Sequence, residues 1–152
     1  MRGWLVDTDV IADLCSAKPD AKVRKWIGAQ PESRLWLSIV TLAEYRKTIA
    51  RMEFGHARRP ALERAVDALE RRFAGRVLSL TDAVVLRWGA MSGAASQMKG
   101  YSPGMLITLQ AATAMENNLY LATGEVESVN HTGVHGFNPW KDDPRLFAVD
   151  LT

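Results

Sequence analysis

The chain has 152 residues and a mass of 16.8 kDa, the size of one domain with a full core. Apolar residues make up 47% of it and charged residues 24%, the usage of an ordinary globular protein. A formal net charge of +2 excludes a dominant basic field that would pull the whole molecule onto nucleic acid or membrane. Local clusters such as Arg58-Arg59 and Arg71-Arg72 still permit a nucleic-acid face, although solvated helix surface is the plainer account. Cys15 is the only cysteine, which rules out an intrachain disulfide and fits a reducing compartment. No apolar run approaches the ~20 residues of a membrane span. The first strand begins at once, without a basic-then-apolar leader, so a cytoplasmic protein without a membrane partner is expected.

In chain order, residues 3–6 form a short apolar strand and residues 10–15 a short helix that stops before Pro19. Residues 21–29 carry Val23, Trp26 and Ile27 at helical spacing and end before Pro31. Residues 34–37 are a second strand. A helix over 42–52 places Leu42, Tyr45, Ile49 and Met52 on one stripe. A basic turn over 54–60 leads to a helix begun at Pro60, with Leu62, Val66, Leu69 and Phe73 facing inward.

Residues 76–80 are a third strand, and Thr81 caps a helix carrying Val85, Trp88 and Met91. A loop over 100–104 precedes a helix over 105–116, ended by Asn117-Asn118. Residues 119–122 and 134–137 are the last strands. From Lys141 onward a charged tail is expected to be loosely held, which divides the chain into a domain over 1–140 and a tail over 141–152. Strands alternating with helices imply parallel pairing through crossovers, so the class is α/β.

Three acids fall where such a sheet binds ligands, at the carboxyl ends of its strands. Asp7 follows the strand Trp4-Leu5-Val6, Glu44 lies just beyond the second strand, and Glu125 follows the fourth through Thr123-Gly124. Each also has a plain structural account. Asp7 and Thr8 suit a helix N-cap. Thr41-Leu42-Ala43-Glu44 fits a capping box, and Glu125 fits an exposed loop. Gathering repelling carboxylates favours a compensating divalent cation, and hard oxygen donors select Mg²⁺ or Mn²⁺.

The runs Val6-Asp7-Thr8-Asp9-Val10, Leu37-Ser38-Ile39-Val40-Thr41-Leu42-Ala43-Glu44, Ala111-Ala112-Thr113-Ala114 and Asn138-Pro139-Trp140 resemble the PIN-domain proteins. Within them the chain is most similar to the VapC/FitB-type toxins of bacterial toxin–antitoxin and plasmid-stability pairs. The likeness extends from Leu5 to Trp140 in the family's order. It implies a three-layer α/β/α fold around a central parallel sheet, and a Mg²⁺- or Mn²⁺-dependent endoribonuclease. Asp7, Glu44 and Glu125 would be catalytic; with Asp9 they would form the metal set. The resemblance also implies a homodimer, an RNA substrate and a small antitoxin through which operator DNA is bound.

The chain departs from the family pattern at three positions. The third acid, four residues before the Ala-Ala-Thr-Ala run, is Ile107, and neither Leu106 nor Thr108 restores it by a slip of register. Gly124 stands where a basic residue is common and Ser128 where an aspartate is common. Losing one carboxylate removes charge and an oxygen ligand, and losing one electrostatic donor costs ~3 kcal/mol or more in other enzymes. Two function classes follow: a ribonuclease with a weakened cleft, or a degenerate, non-catalytic PIN module that acts through its antitoxin and operator DNA in plasmid maintenance.

Other constellations are weaker. His131 and His135 would be ~13 Å apart on an extended stretch, too far for one zinc ion. Asp7-Thr8-Asp9 echoes haloacid-dehalogenase phosphatases, with Ser38 as a second motif, but Asp142-Asp143 follows no apolar strand. Ser38 and Cys15 lack evident partners for nucleophilic catalysis. Trp4, Trp26, Trp36 and Trp88 are expected in the core, with Trp140 against the sheet or a partner. Arg46, Lys47 and Arg51 are the candidates for RNA backbone contacts, with solvated surface as the alternative.

Overall fold

A computed structural model describes residues 1–98 and 103–150. Its strands are β1 (Trp4–Val6), β2 (Leu35–Ser38), β3 (Val77–Leu78), β4 (Tyr120–Ala122) and β5 (Gly136–Phe137). Its α-helices are α1 (Thr8–Leu14), α2 (Ala21–Gly28), α3 (Ile39–Arg51), α4 (Arg59–Arg72), α5 (Asp82–Ser96), α6 (Met105–Glu116) and α7 (Val126–Val129). The strands form one parallel sheet in the order β3-β2-β1-β4-β5. The chain builds outward from β1 to β2 and β3, then returns to the other side of β1 for β4. The direction of winding therefore reverses between β1 and β4.

Alternation along β1 divides the core. Trp4 and Val6 face a cluster with Ile11, Trp26, Leu42 and Leu69 from α1 to α4, while Leu5 faces Ile107, Ala111 and Val129 from α6 and α7. Helices on both faces of a parallel sheet make the three-layer α/β/α arrangement. Trp4 anchors the first face, edge-on to Trp26 with ring centroids 5.4 Å apart. Gly3 is required beneath it, because a Cβ there would lie 2.3 Å from the Arg34 carbonyl oxygen. Trp4 and Trp26 are buried; Trp36 and Trp88 are only half-buried. Trp36 stacks under the Arg2 guanidinium, and Trp88 donates its Nε1 hydrogen to Thr108.

Several boundaries differ from the sequence reading. Helix α3 starts at Ile39, capped by Ser38, whose Oγ accepts from the Val40 N–H at 3.1 Å. Thr41 is thus inside the first turn, the capping box does not form, and Glu44 stands in the second turn. The β-branched run Ile39-Val40-Thr41 concealed this start, since it reads equally well as a continuing strand. The outer strands are shorter than expected, two residues each. Helix α7 and the 3₁₀ turn Asn130–Thr132 were not anticipated. Of the loop expected over 100–104, positions 100–102 lie outside the described residues.

As far as Asp150 the tail is packed against the domain rather than loosely held. Phe147 packs on Tyr120 and Phe137 with ring centroids 5.3 and 4.9 Å away, and the Tyr120 hydroxyl donates to the Ala148 carbonyl at 2.9 Å. The Asp150 N–H donates to the Met1 carbonyl. Charges at Asp142, Asp143 and Arg145 masked two apolar positions, Phe147 and Val149, that join the first core face.

Candidate functional site

The reversal between β1 and β4 opens a crevice at the carboxyl ends of these strands. Asp7 leaves β1 there, and its N–H still donates to the Ala122 carbonyl of β4 at 3.0 Å. The residue is only 6% exposed. Oδ1 accepts from the Thr8 N–H at 2.7 Å and caps α1, while Oδ2 accepts from Thr123 Oγ1 at 2.8 Å. Capping and cleft placement therefore coexist in one residue. Burial above all, then the charge of Asp9 and more weakly that of Glu44, push the Asp7 pKa up to about 7 against the two hydrogen bonds.

Asp9 is half-buried and accepts from the N–H groups of Val10 and Gly124, each at 2.7 Å. Burial raises its pKa, Glu125 adds to the rise, and the two N–H donors oppose it. Glu44 accepts from the Thr8 hydroxyl, and Thr8 Oγ1 lies 3.0 Å from Thr41 Oγ1. Glu125 is exposed and follows Thr123, whose hydroxyl accepts its N–H at 3.1 Å. All four acids line one cleft of about 260 Å³ with Thr8, Ala12, Leu106 and Ile107.

Ile107 thus occupies the cleft wall, 7% exposed, with its other side in the core against α6 neighbours and Leu5. Thr108 is turned away and bonds Trp88, so a register slip offers nothing. At Gly124 a Cβ would lie 2.9 Å from Asp9 Oδ2 and 3.2 Å from the Trp140 ring. No side chain fits there unless Asp9 or Trp140 moves. Ser128 is half-buried on α7.

The basic candidates separate. Lys47 lines an apolar groove that shares Glu44 and Leu106 with the cleft. Arg46 is paired with Glu70 and lines a different hollow between α3 and α4. Arg51 is exposed in the last turn of α3. His131 is half-buried in a 3₁₀ turn and His135 is exposed. Sequence reasoning missed Thr8, Thr41 and Thr123 as partners of the acids, Gln110, whose Nε2 donates to Thr41, and Asn138, whose Nδ2 donates to the Gly124 carbonyl. Thr123 directly follows β4, a usable signal, and Thr8 stands one residue beyond Asp7 at the end of β1. Gln110 offers only a polar residue in an apolar helix, and Asn138 a residue before proline.

The donor set is entirely carboxylate and hydroxyl oxygen, which suits a hard divalent cation. Among the described residues no three His, Cys, Asp or Glu side chains are gathered closely enough to hold a metal ion. An ion of the Mg²⁺ type needs only one or two carboxylates beside its waters. The residues fit such binding through Asp7 and one neighbouring acid.

The chain matches the PIN domain family over residues 4–125. It is 34% identical over 137 residues to the plasmid stability protein StbB of Pseudomonas syringae pv. tomato, covering 90% of this chain and 98% of the relative. It is also 34% identical over 137 residues to the VapC ribonuclease Y4jK of Sinorhizobium fredii, covering 90% and 97%. Among solved structures, FitAB bound to an IR36 DNA fragment superposes with a TM-score of 0.82 at 27% identity, over 92% of this chain and 97% of that one. With a match through most of the sheet and curated relatives aligned nearly end to end, the protein belongs to the PIN domain family.

Proposed function

We propose that this protein is the toxin of a cytoplasmic toxin–antitoxin pair, a Mg²⁺- or Mn²⁺-dependent endoribonuclease whose cleft is weakened by Ile107. One observation carries this reading: a buried carboxyl, Asp7, held up to about 7 at the switch point of the sheet, with Asp9, Glu44 and Glu125 around the same cleft. A stable protein does not gain from such a group, and perturbed acids in a cleft mark functional sites. The ribonuclease named among the relatives supports the reaction class, and the FitAB–DNA complex supports a small antitoxin that brings the toxin to operator DNA. A homodimer belongs to the same reading.

Asp7 is the principal ligand in this scheme. Thr123 and the Thr8 N–H fix its two oxygens, so the carboxylate presents one direction to the cleft. One of Glu44 and Glu125 would serve as the second acid beside Asp7, and the other would orient the attacking water; Asp9 adds negative charge. A bound divalent ion supplies a water of lowered pKa and neutralises charge on the phosphoryl group. Lys47 is the basic side chain best placed to hold the RNA backbone, since its groove adjoins Glu44.

A second reading is favoured by the cleft wall itself. Ile107 replaces an acid with a buried alkyl group, and Gly124 lets Asp9 close against the backbone. A non-catalytic module that works through its antitoxin and operator DNA would tolerate both. Cleavage of RNA with Mn²⁺, by the protein and by Asp7→Ala, separates the readings. Activity lost in the variant supports the enzyme; equal background in both supports the module. Ile107→Asp should raise cleavage about tenfold or more if the scaffold lacks only that ligand.

A further inference from the structure

Gln110 is a buried amide in an otherwise apolar stretch of α6, 1% exposed. Its Nε2 donates to Thr41 Oγ1 at 3.0 Å, reaching across from α6 to α3. Thr41 Oγ1 lies 3.0 Å from Thr8 Oγ1, and Thr8 donates to Glu44. These contacts form one chain, with a group that can only donate at one end and a carboxylate at the other. Thr41 receives a proton from Gln110 and must pass its own to Thr8. Thr8 then has its acceptor side filled and its hydrogen directed at Glu44.

The opposite amide orientation fails. With Oε1 facing Thr41, both threonine hydrogens would point outward, and two oxygens 3.0 Å apart would share none. In the orientation found, Gln110 Oε1 has no hydrogen-bond partner among the described residues. A buried carbonyl left unpaired is unfavourable for stability. The amide is therefore placed for the proton it gives, and chains polarised in one direction strengthen each link.

Resting on the ribonuclease reading above, we propose that Gln110 is a positioning residue, which acts through Thr41 and Thr8 to hold the Glu44 carboxylate toward the cleft. It does not line the cleft itself. Gln110→Met keeps the volume and removes the donor; Thr8→Val removes the last hydroxyl; Thr41→Val cuts the middle, and Thr41→Ser preserves it. The direct readout is the Thr8 hydroxyl proton by NMR, protected from exchange in the parent protein. It should be lost to rapid exchange in Gln110→Met and Thr41→Val, and retained in Thr41→Ser.

For Mn²⁺-dependent RNA cleavage, Gln110→Met should lower kcat about tenfold with KM changed less than twofold. Combined with Thr8→Val it should add almost nothing, because both break one chain. A Thr8 hydroxyl proton that stays protected in Gln110→Met overturns the proposal, as do penalties that multiply in the double variant. If the parent protein cleaves no RNA, the ribonuclease reading fails, while the hydroxyl-proton comparison still decides the chain. Thr41→Val, which alters a different helix, settles the matter if Gln110→Met does not fold.

Discussion

Asp7 carries a free-energy penalty that depends on pH. Its folded pKa of about 7 lies above the ordinary 3.8, so the fold favours the protonated carboxyl. The stability this confers is complete below about pH 4 and is lost as pH rises through about 7, a difference on the order of 4 kcal/mol. Asp7→Asn mimics the neutral form. It should unfold several degrees higher than the parent at pH 8, with the gap closing toward pH 4.5, as followed by circular dichroism. Mn²⁺ should raise the parent's midpoint at pH 8 and leave Asp7→Asn unmoved. Equal midpoints at both pH values would mean that Asp7 is not buried in the cleft.

Helix α3 depends on one hydroxyl at its start. Ser38→Ala leaves the Val40 N–H without its partner and should cost about 1 kcal/mol, a fall of roughly 2–4 °C in Tm for a chain of this size. Sequence pattern located the long elements well where punctuation was strong. The α6 boundaries, Met105–Glu116, agree because Asn117-Asn118 stops the helix, Asn118 taking a left-handed φ of 53°. Thr81 was legible as a cap for the same reason. The start of α3 was not, since Ser38 belongs to strand and cap together. Four-residue α7 is too short for any period to show. Asp7 and Glu125 were legible because they stand just past strand ends and Glu44 because it lies early in the helix after one, whereas the threonines and Gln110 meet across 33 and 69 residues of chain. No local pattern encodes such a meeting.

For the whole molecule, Phe147 and Val149 close the first core face. Phe147→Ala should cost about 2 kcal/mol, less than a fully buried phenylalanine, and lower the urea midpoint with an unchanged slope. A neutral result would show that the tail only rests on Tyr120 and Phe137. The sheet has a further consequence at its margins. Strands β3 and β5 offer only two residues each of outward-facing ladder, and the Arg76 guanidinium binds the carbonyls of Glu32 and Leu35 beside β3. Long bare borders are what let one polypeptide extend another's pleated ribbon. Among the described residues these borders are short, so side chains on the helical flanks offer a second copy or another protein more surface than the sheet edges do.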